Sequence, residues 1–132
     1  MIVVDSSALI AIFFREPEED AFQNRIDAEE RCILSAVNAH ETACILRGRR
    51  GPAAVAGFWR WLEDNEIEIL TFDEVQVRAA AVAFDRYGKG IDPKARLNLA
   101  DCAAYALAKS LDAPLLFKGD DFGRTDVRRT ST

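Results

Sequence analysis

Histidine is almost absent from this 132-residue chain: His40 stands alone against 22 acidic and 17 basic side chains. Cysteine is scarce too, and Cys32, Cys44 and Cys102 form no CxxC pair. A structural zinc site therefore has no ligand set to draw on. Three cysteines, an odd number, make a poor disulfide framework, pack as small apolar residues and point to a reducing compartment. The longest apolar run, Ala8 to Phe14, falls far short of the ~20 residues a membrane span needs. The N-terminus, Met-Ile-Val-Val-Asp5, has no basic n-region and meets a carboxylate at once, unlike a secretory signal. These absences predict a soluble cytoplasmic protein that does not engage a membrane. The net charge of −5 excludes a generic polyanion-coating protein, so any nucleic-acid contact must come from local basic patches.

What is present is a core. Hydrophobic residues make up 49% of the chain, and the length fits one domain over residues 1–132. Short apolar runs alternate with longer helical patterns, the signature of an α/β fold with a parallel sheet. Strands are expected at Ile2–Val4, Cys32–Leu34, Ile67–Leu70 and Pro114–Phe117. A helix capped by Ser6 or Ser7 runs to Phe14, and Pro17 opens another that reaches about Glu30. Ser35 caps a helix to about Arg47, which Gly48, Gly51 and Pro52 break. Further helices are expected over Ala53–Asp64, from Asp73 to Tyr87, and over Leu99–Ser110, with a Gly- and Pro-containing loop at 88–94.

Most acids lie where acids usually lie. Glu16, Glu18, Glu19, Asp20, Asp27, Glu29 and Glu30 read as a solvated helix face. Five other acids, at four places in the chain, do not fit that description. Asp5 ends the first strand, either capping the next helix or standing where parallel sheets bind ligands. Glu41 shares a helical stripe with Val37, Cys44 and Ile45, and the opposite side is apolar as well, so burial is expected. Asp101 lies on a stripe with Leu97, Ala104, Tyr105 and Ala108, although Asn98 three residues earlier also makes it a candidate capping-box acid. Asp120 and Asp121 follow the last strand in a turn. If these acids converge, two charges 4 Å apart repel by about 4 kcal/mol at an effective dielectric of 20. Either some protonate or a divalent cation sits among them. A site of carboxylate oxygens alone suits Mg²⁺ or Mn²⁺, and phosphodiester hydrolysis is their natural chemistry.

The stretch Ile-Val-Val-Asp5-Ser6-Ser7-Ala8-Leu9 resembles the opening motif of PIN-domain nucleases, in particular the VapC-type toxins of toxin–antitoxin systems. Glu41 in Asn-Ala-His-Glu-Thr-Ala, Asp101 in Leu-Asn-Leu-Ala-Asp-Cys, and the segment Leu-Phe-Lys-Gly-Asp-Asp-Phe-Gly follow in that family's order. The resemblance implies a three-layer PIN-like fold, a short mostly parallel sheet flanked by helices. It also implies a metal-dependent endoribonuclease using Mg²⁺ or Mn²⁺, a homodimer, and inhibition by a cognate VapB-like antitoxin. By the same resemblance Asp5 and Asp101 are the principal metal ligands, Glu41 completes the site, and Ser6 orients Asp5 or a phosphate. Asp120 and Asp121 compete for the last acidic position, with Asp120 slightly preferred.

Arg47, Arg49 and Arg50 follow the Glu41 helix, and Lys89, Lys94 and Arg96 precede the Asp101 helix, so both clusters are candidates for contacts to an RNA backbone. Phe58, Trp61 and Leu62 share a helical face and read as packing, whereas Trp59 points elsewhere, to a dimer or antitoxin surface. His40 lies about 100° round the helix from Glu41 and reads as a bystander or RNA contact. Two rival readings remain. A receiver-like phospho-acceptor domain would use Asp5, Asp73 and Lys118, and an inactive PIN binding module would keep the fold without the chemistry.

Overall fold

The computed structural model describes residues 1–130; the last two residues of the domain expected over 1–132 lie outside the described residues. Its centre is a sheet of β1 (Ile2–Val4), β2 (Cys32–Ser35), β3 (Ile67–Leu70) and β4 (Leu115–Leu116) in the order β3-β2-β1-β4. All three pairings are parallel, with Val3 opposite both Ile33 and Leu115. The inner strands are buried along their whole length, and apolar as far as Ser35, because both sheet faces are covered. Ile2, Val4, Cys32 and Leu34 face α1 (Ser6–Phe13), α2 (Glu19–Asp27), α3 (Ala36–Arg50) and α4 (Pro52–Asp64). Val3, Ile33 and Leu115 face α5 (Glu74–Tyr87) and α6 (Leu99–Ser110). The three-layer α/β arrangement expected from the sequence is the one observed.

Several boundaries moved for physical reasons. The helix α3 passes through Gly48 and stops at Arg50, where Gly51 adopts a φ of 84° and Pro52 starts α4 at once. Pro17 sits in a turn ahead of α2, which ends at Asp27 instead of Glu30. Asp5, not Ser6 or Ser7, is the N-cap of α1, its carboxylate accepting from the Ser7 amide. Phe58 and Leu62 are buried and Trp61 half-buried against the first core layer, whereas Trp59 is 45% exposed, as their spacing predicts. Cys32 and Cys102 are buried, but Cys44 is exposed on the open side of α3 beside His40, so only two of the three cysteines pack as apolar residues.

The chain order also fixes where a ligand can enter. From β1 the strands step outward to β2 and β3, and then β4 returns to the other side of β1. This reversal opens a crevice at the carboxyl ends of β1 and β4. Beyond β4, Gly119, with a φ of 98°, turns the chain into the Asp120–Asp121 corner and a short 3-10 helix, Phe122–Arg124. The chain then returns to the open side of β4 and runs parallel to it, the Leu115 amide donating to Arg128 O (2.8 Å) and the Thr130 amide to Leu115 O (3.2 Å).

Candidate active site

Asp5 lies at the carboxyl end of β1, in that crevice, and is only 2% exposed. Its Oδ2 accepts from the Ser7 amide (2.9 Å) and the Ser7 hydroxyl (2.6 Å), and the same hydroxyl accepts from the Lys118 amide (3.0 Å) just past β4. Oδ1 is left facing the side chain of Asn38, whose Nδ2 stands 3.4 Å away. Asp101 is built in the same way from another helix. As the third residue of α6 its Oδ2 accepts from the Asn98 amide (2.9 Å), while Asn98 Oδ1 accepts from the Asp101 amide (2.8 Å). The capping box is therefore real: each acid commits one oxygen to a helix N-terminus and keeps the other out of the cap, Asp5 Oδ1 having only the long Asn38 contact.

The charges of Asp101 and Glu41 bear on Asp5, and those of Glu41 and Asp121 on Asp101. Burial pushes the Asp5 carboxyl up to about 7, and the negative charges of Asp101 and Glu41 push it the same way against the Ser7 hydrogen bonds. Burial also raises Asp101 to about 6, with Glu41 and Asp121 adding to the rise and the Asn98 hydrogen bond opposing it. Asp121, and not Asp120, is thus the corner acid whose field reaches Asp101, so this count favours Asp121 over the slight preference for Asp120. Glu41 is only half-buried on the open rim of α3, less enclosed than its apolar stripe predicts, because Cys44 on that stripe faces solvent. The buried face of α3 carries Asn38, Ala39, Thr42, Ala43 and Leu46 instead.

None of these four carboxylates has an ion-pair partner within 4.0 Å among the described residues. The donor set is all carboxylate oxygen, which fits a hard dication in chemistry and charge. As they stand, no three His, Cys, Asp or Glu side chains among the described residues converge closely enough to hold one.

Other expected residues fall elsewhere. Ser6 does not orient Asp5; it is buried, accepts from Asn38 Nδ2 (2.8 Å), and leaves that task to Ser7. Glu16 and Glu18 are not part of a free solvated face, since both bind the Lys118 ammonium (2.9 and 3.3 Å). That engagement removes Lys118 from the role a receiver-like site would give it. Asp73 caps α5 beyond β3, and β2 separates β3 from β1. The phospho-acceptor constellation is therefore not assembled. Arg47, Arg49, Lys89 and Lys94 are exposed, and the Arg49 and Arg50 guanidinium groups lie over the Phe14 ring at 5.1 and 4.6 Å from its centre. Sequence reading missed Ser7 and Asn38. The signal for Asn38 was a polar residue one turn before Glu41, on the helix face that carries Thr42 and Leu46.

Comparison with known proteins shows the family. The model of the PIN domain family matches residues 2–128. The chain is 36% identical over 126 residues to ribonuclease VapC30 of Mycobacterium tuberculosis, covering 96% of this chain and 95% of that one. It is 37% identical over 131 residues to ribonuclease VapC42 of the same organism, covering 99% and 100%. In fold it is similar to the crystal structure of M. tuberculosis VapC20, a sarcin–ricin loop cleaving toxin, with a TM-score of 0.81 at 14% identity over 98% of each chain. A toxin–antitoxin complex from Klebsiella pneumoniae gives a TM-score of 0.74 at 14% identity, over 98% of this chain and 97% of that one. By its sheet, its carboxylate crevice and these likenesses, the chain belongs to the PIN-domain family, among the VapC ribonucleases.

Proposed function

We propose that this protein is a toxin endoribonuclease that hydrolyses RNA phosphodiester bonds with Mg²⁺ or Mn²⁺. The observation that carries the reading is the crevice at the ends of β1 and β4, where Asp5, Glu41, Asp101 and Asp121 share one field with no protein cation among them. Asp5 and Asp101 would hold the ion through the oxygens that their helix caps leave free, and Glu41 and Asp121 would complete the set. A bound dication supplies charge neutralisation at the phosphate and a more acidic water. Ser7 keeps Asp5 from rotating, and Asn98 does the same for Asp101. Exposed Arg47, Arg49, Lys89 and Lys94 would contact the RNA backbone, so binding should weaken as salt rises.

Two surfaces support the expected partners. The groove between α5 and α6 is lined by Phe72, Val77, Ala80, Ala81, Phe84, Leu99 and Cys102, all apolar. Its own rim carries Leu99 at 75% exposure, so a second copy of the chain supplies the matching surface that a two-fold homodimer needs. The groove around Trp59, His40, Val55 and Arg47 is left for a VapB-like antitoxin. No helix among the described residues is long and apolar enough to cross a membrane. Free thiols and an RNA substrate fit a reducing cytoplasm. The test is cleavage of a structured RNA by purified protein with Mg²⁺, with Mn²⁺ and with EDTA, alongside Asp121→Asn and Asp120→Asn. Cleavage should require the ion and fall further in Asp121→Asn. Full activity in EDTA would end the reading.

A further inference from the structure

Asn38 is a fully buried polar side chain on α3 to which neither the sequence motifs nor the acid cluster assigns a part, its exposure being 0%. Its Nδ2 reaches three acceptors on two other parts of the fold: Ser6 Oγ at 2.8 Å, Ala100 O at 3.2 Å and Asp5 Oδ1 at 3.4 Å. Ser6 and Asp5 belong to the β1–α1 junction, and Ala100 is the residue before Asp101 in the first turn of α6. The backbone around Asn38 is fixed as well, because its carbonyl accepts from Thr42 Oγ1 (2.8 Å) and Ser6 Oγ (3.4 Å). Its Oδ1, in contrast, is buried with no hydrogen-bond partner among the described residues. An unpaired buried oxygen costs on the order of 1–3 kcal/mol. A residue kept only for packing would be apolar here, so the amide is retained for what its nitrogen does.

We infer that Asn38 is the positioning residue of the acid cluster, setting the separation of Asp5 from Asp101 by tying the end of β1 to the N-terminus of α6. One amide spans the gap between the two elements that carry the acids, so it governs how both carboxylates are presented. It does not touch the RNA or the reacting phosphate, and the inference rests on the ribonuclease reading above. Outer partners of this kind affect ion affinity or activity by about 10–100-fold.

The test compares Asn38→Leu, which keeps the volume and loses the donor, with Asn38→Thr, which keeps a hydroxyl donor. Each is measured for Mn²⁺ affinity by titration calorimetry and for kcat and KM in RNA cleavage, with circular dichroism to confirm the fold. The Leu variant should lose about 10–100-fold in kcat and in Mn²⁺ affinity with KM within about twofold, and the Thr variant should recover part of the loss. Should the Leu variant not fold, Asn38→Ala carries the same comparison. Wild-type kcat and Mn²⁺ affinity in a folded donor-less variant would overturn the assignment, as would a loss confined to KM. The wild type separates the two ideas: if it cleaves no RNA with Mn²⁺, the ribonuclease reading itself has failed; if it cleaves while Asn38→Leu is fully active, only the Asn38 assignment has.

Discussion

At the amino ends of the strands, Glu29 binds the Met1 ammonium at 2.9 Å and also Arg25, and the Met1 hydrogen bond holds its carboxyl below the usual range. Beside it Arg31 and Glu68 make a further pair at 2.9 Å. At the carboxyl ends, some three residues further along β1, Asp5 and Asp101 face no such cation and are raised to about 7 and about 6. The same sheet thus stabilises acids at one end and loads them with unfavourable charge at the other. The difference teaches where to look for chemistry: acids whose charge the protein neutralises itself hold the fold, and acids it leaves uncompensated await something from outside.

Substitutions at the carboxyl end should break this contrast most. Asp5→Asn or Asp101→Asn keeps the shape and the helix cap while removing a charge, and each should lower RNA cleavage at least about 10³-fold. Cleavage assays with circular dichroism as a fold control decide this, and an active, folded variant at both positions would refute the assignment. The next effect is on stability. Asp5 has a native pKa of about 7 against an ordinary 3.8, so the native state keeps a proton that the unfolded chain has released. Stability is then greatest below about pH 4 on this account and falls as pH rises towards 7. In EDTA at pH 8, Asp5→Asn should therefore be more stable than the wild type, by up to about 4 kcal/mol, and nearly equal to it at pH 4. Urea unfolding at the two pH values checks this, and a gap independent of pH would contradict it.

A charge placed in the α5–α6 groove tests the neighbouring surface. Light scattering on the wild type should show the proposed dimer, and Leu99→Glu should turn it into a monomer while each copy stays folded, because Leu99 is 75% exposed and supports no core. The smallest effect belongs to the amino end. Glu68→Gln breaks the Arg31 pair, both partners being about half exposed, and should cost under about 1 kcal/mol in urea unfolding with no change in cleavage.

Much of this was legible in the sequence because it was local. Ser35 and Asp73 announced their helices through side-chain caps, and the strand β1 announced itself as an unbroken apolar run ending in Asp5. Asp5 could be singled out because it ends a strand where parallel sheets bind ligands, and Asp101 because burying an acid on an apolar stripe is costly. What stayed hidden depended on distant parts of the chain. Glu41 looked enclosed because a helical wheel does not say which side faces the sheet. Ser7 displaced Ser6 because the cap geometry brings its amide and hydroxyl together onto Asp5. Lys118 found Glu16 and Glu18 across 102 and 100 residues of sequence, a pairing that no local pattern encodes. Asn38 hid behind its own ordinariness, an amide among alanines whose meaning appears only when Ala100 arrives beside it.

The return of residues 128–130 along β4 has a consequence for life in a crowded solution. β4 is an outermost strand, and its unpaired peptide groups would otherwise form a ready template for a stranger's strand. With Leu115 already bonded to Arg128 and Thr130, that template is blunted, and the guanidinium of Arg129 lies 4.2 Å from the centre of the Phe117 ring as an added deterrent. The opposite margin, β3, carries the charged Glu68. The few residues at the tail thus guard the molecule against edge-to-edge aggregation.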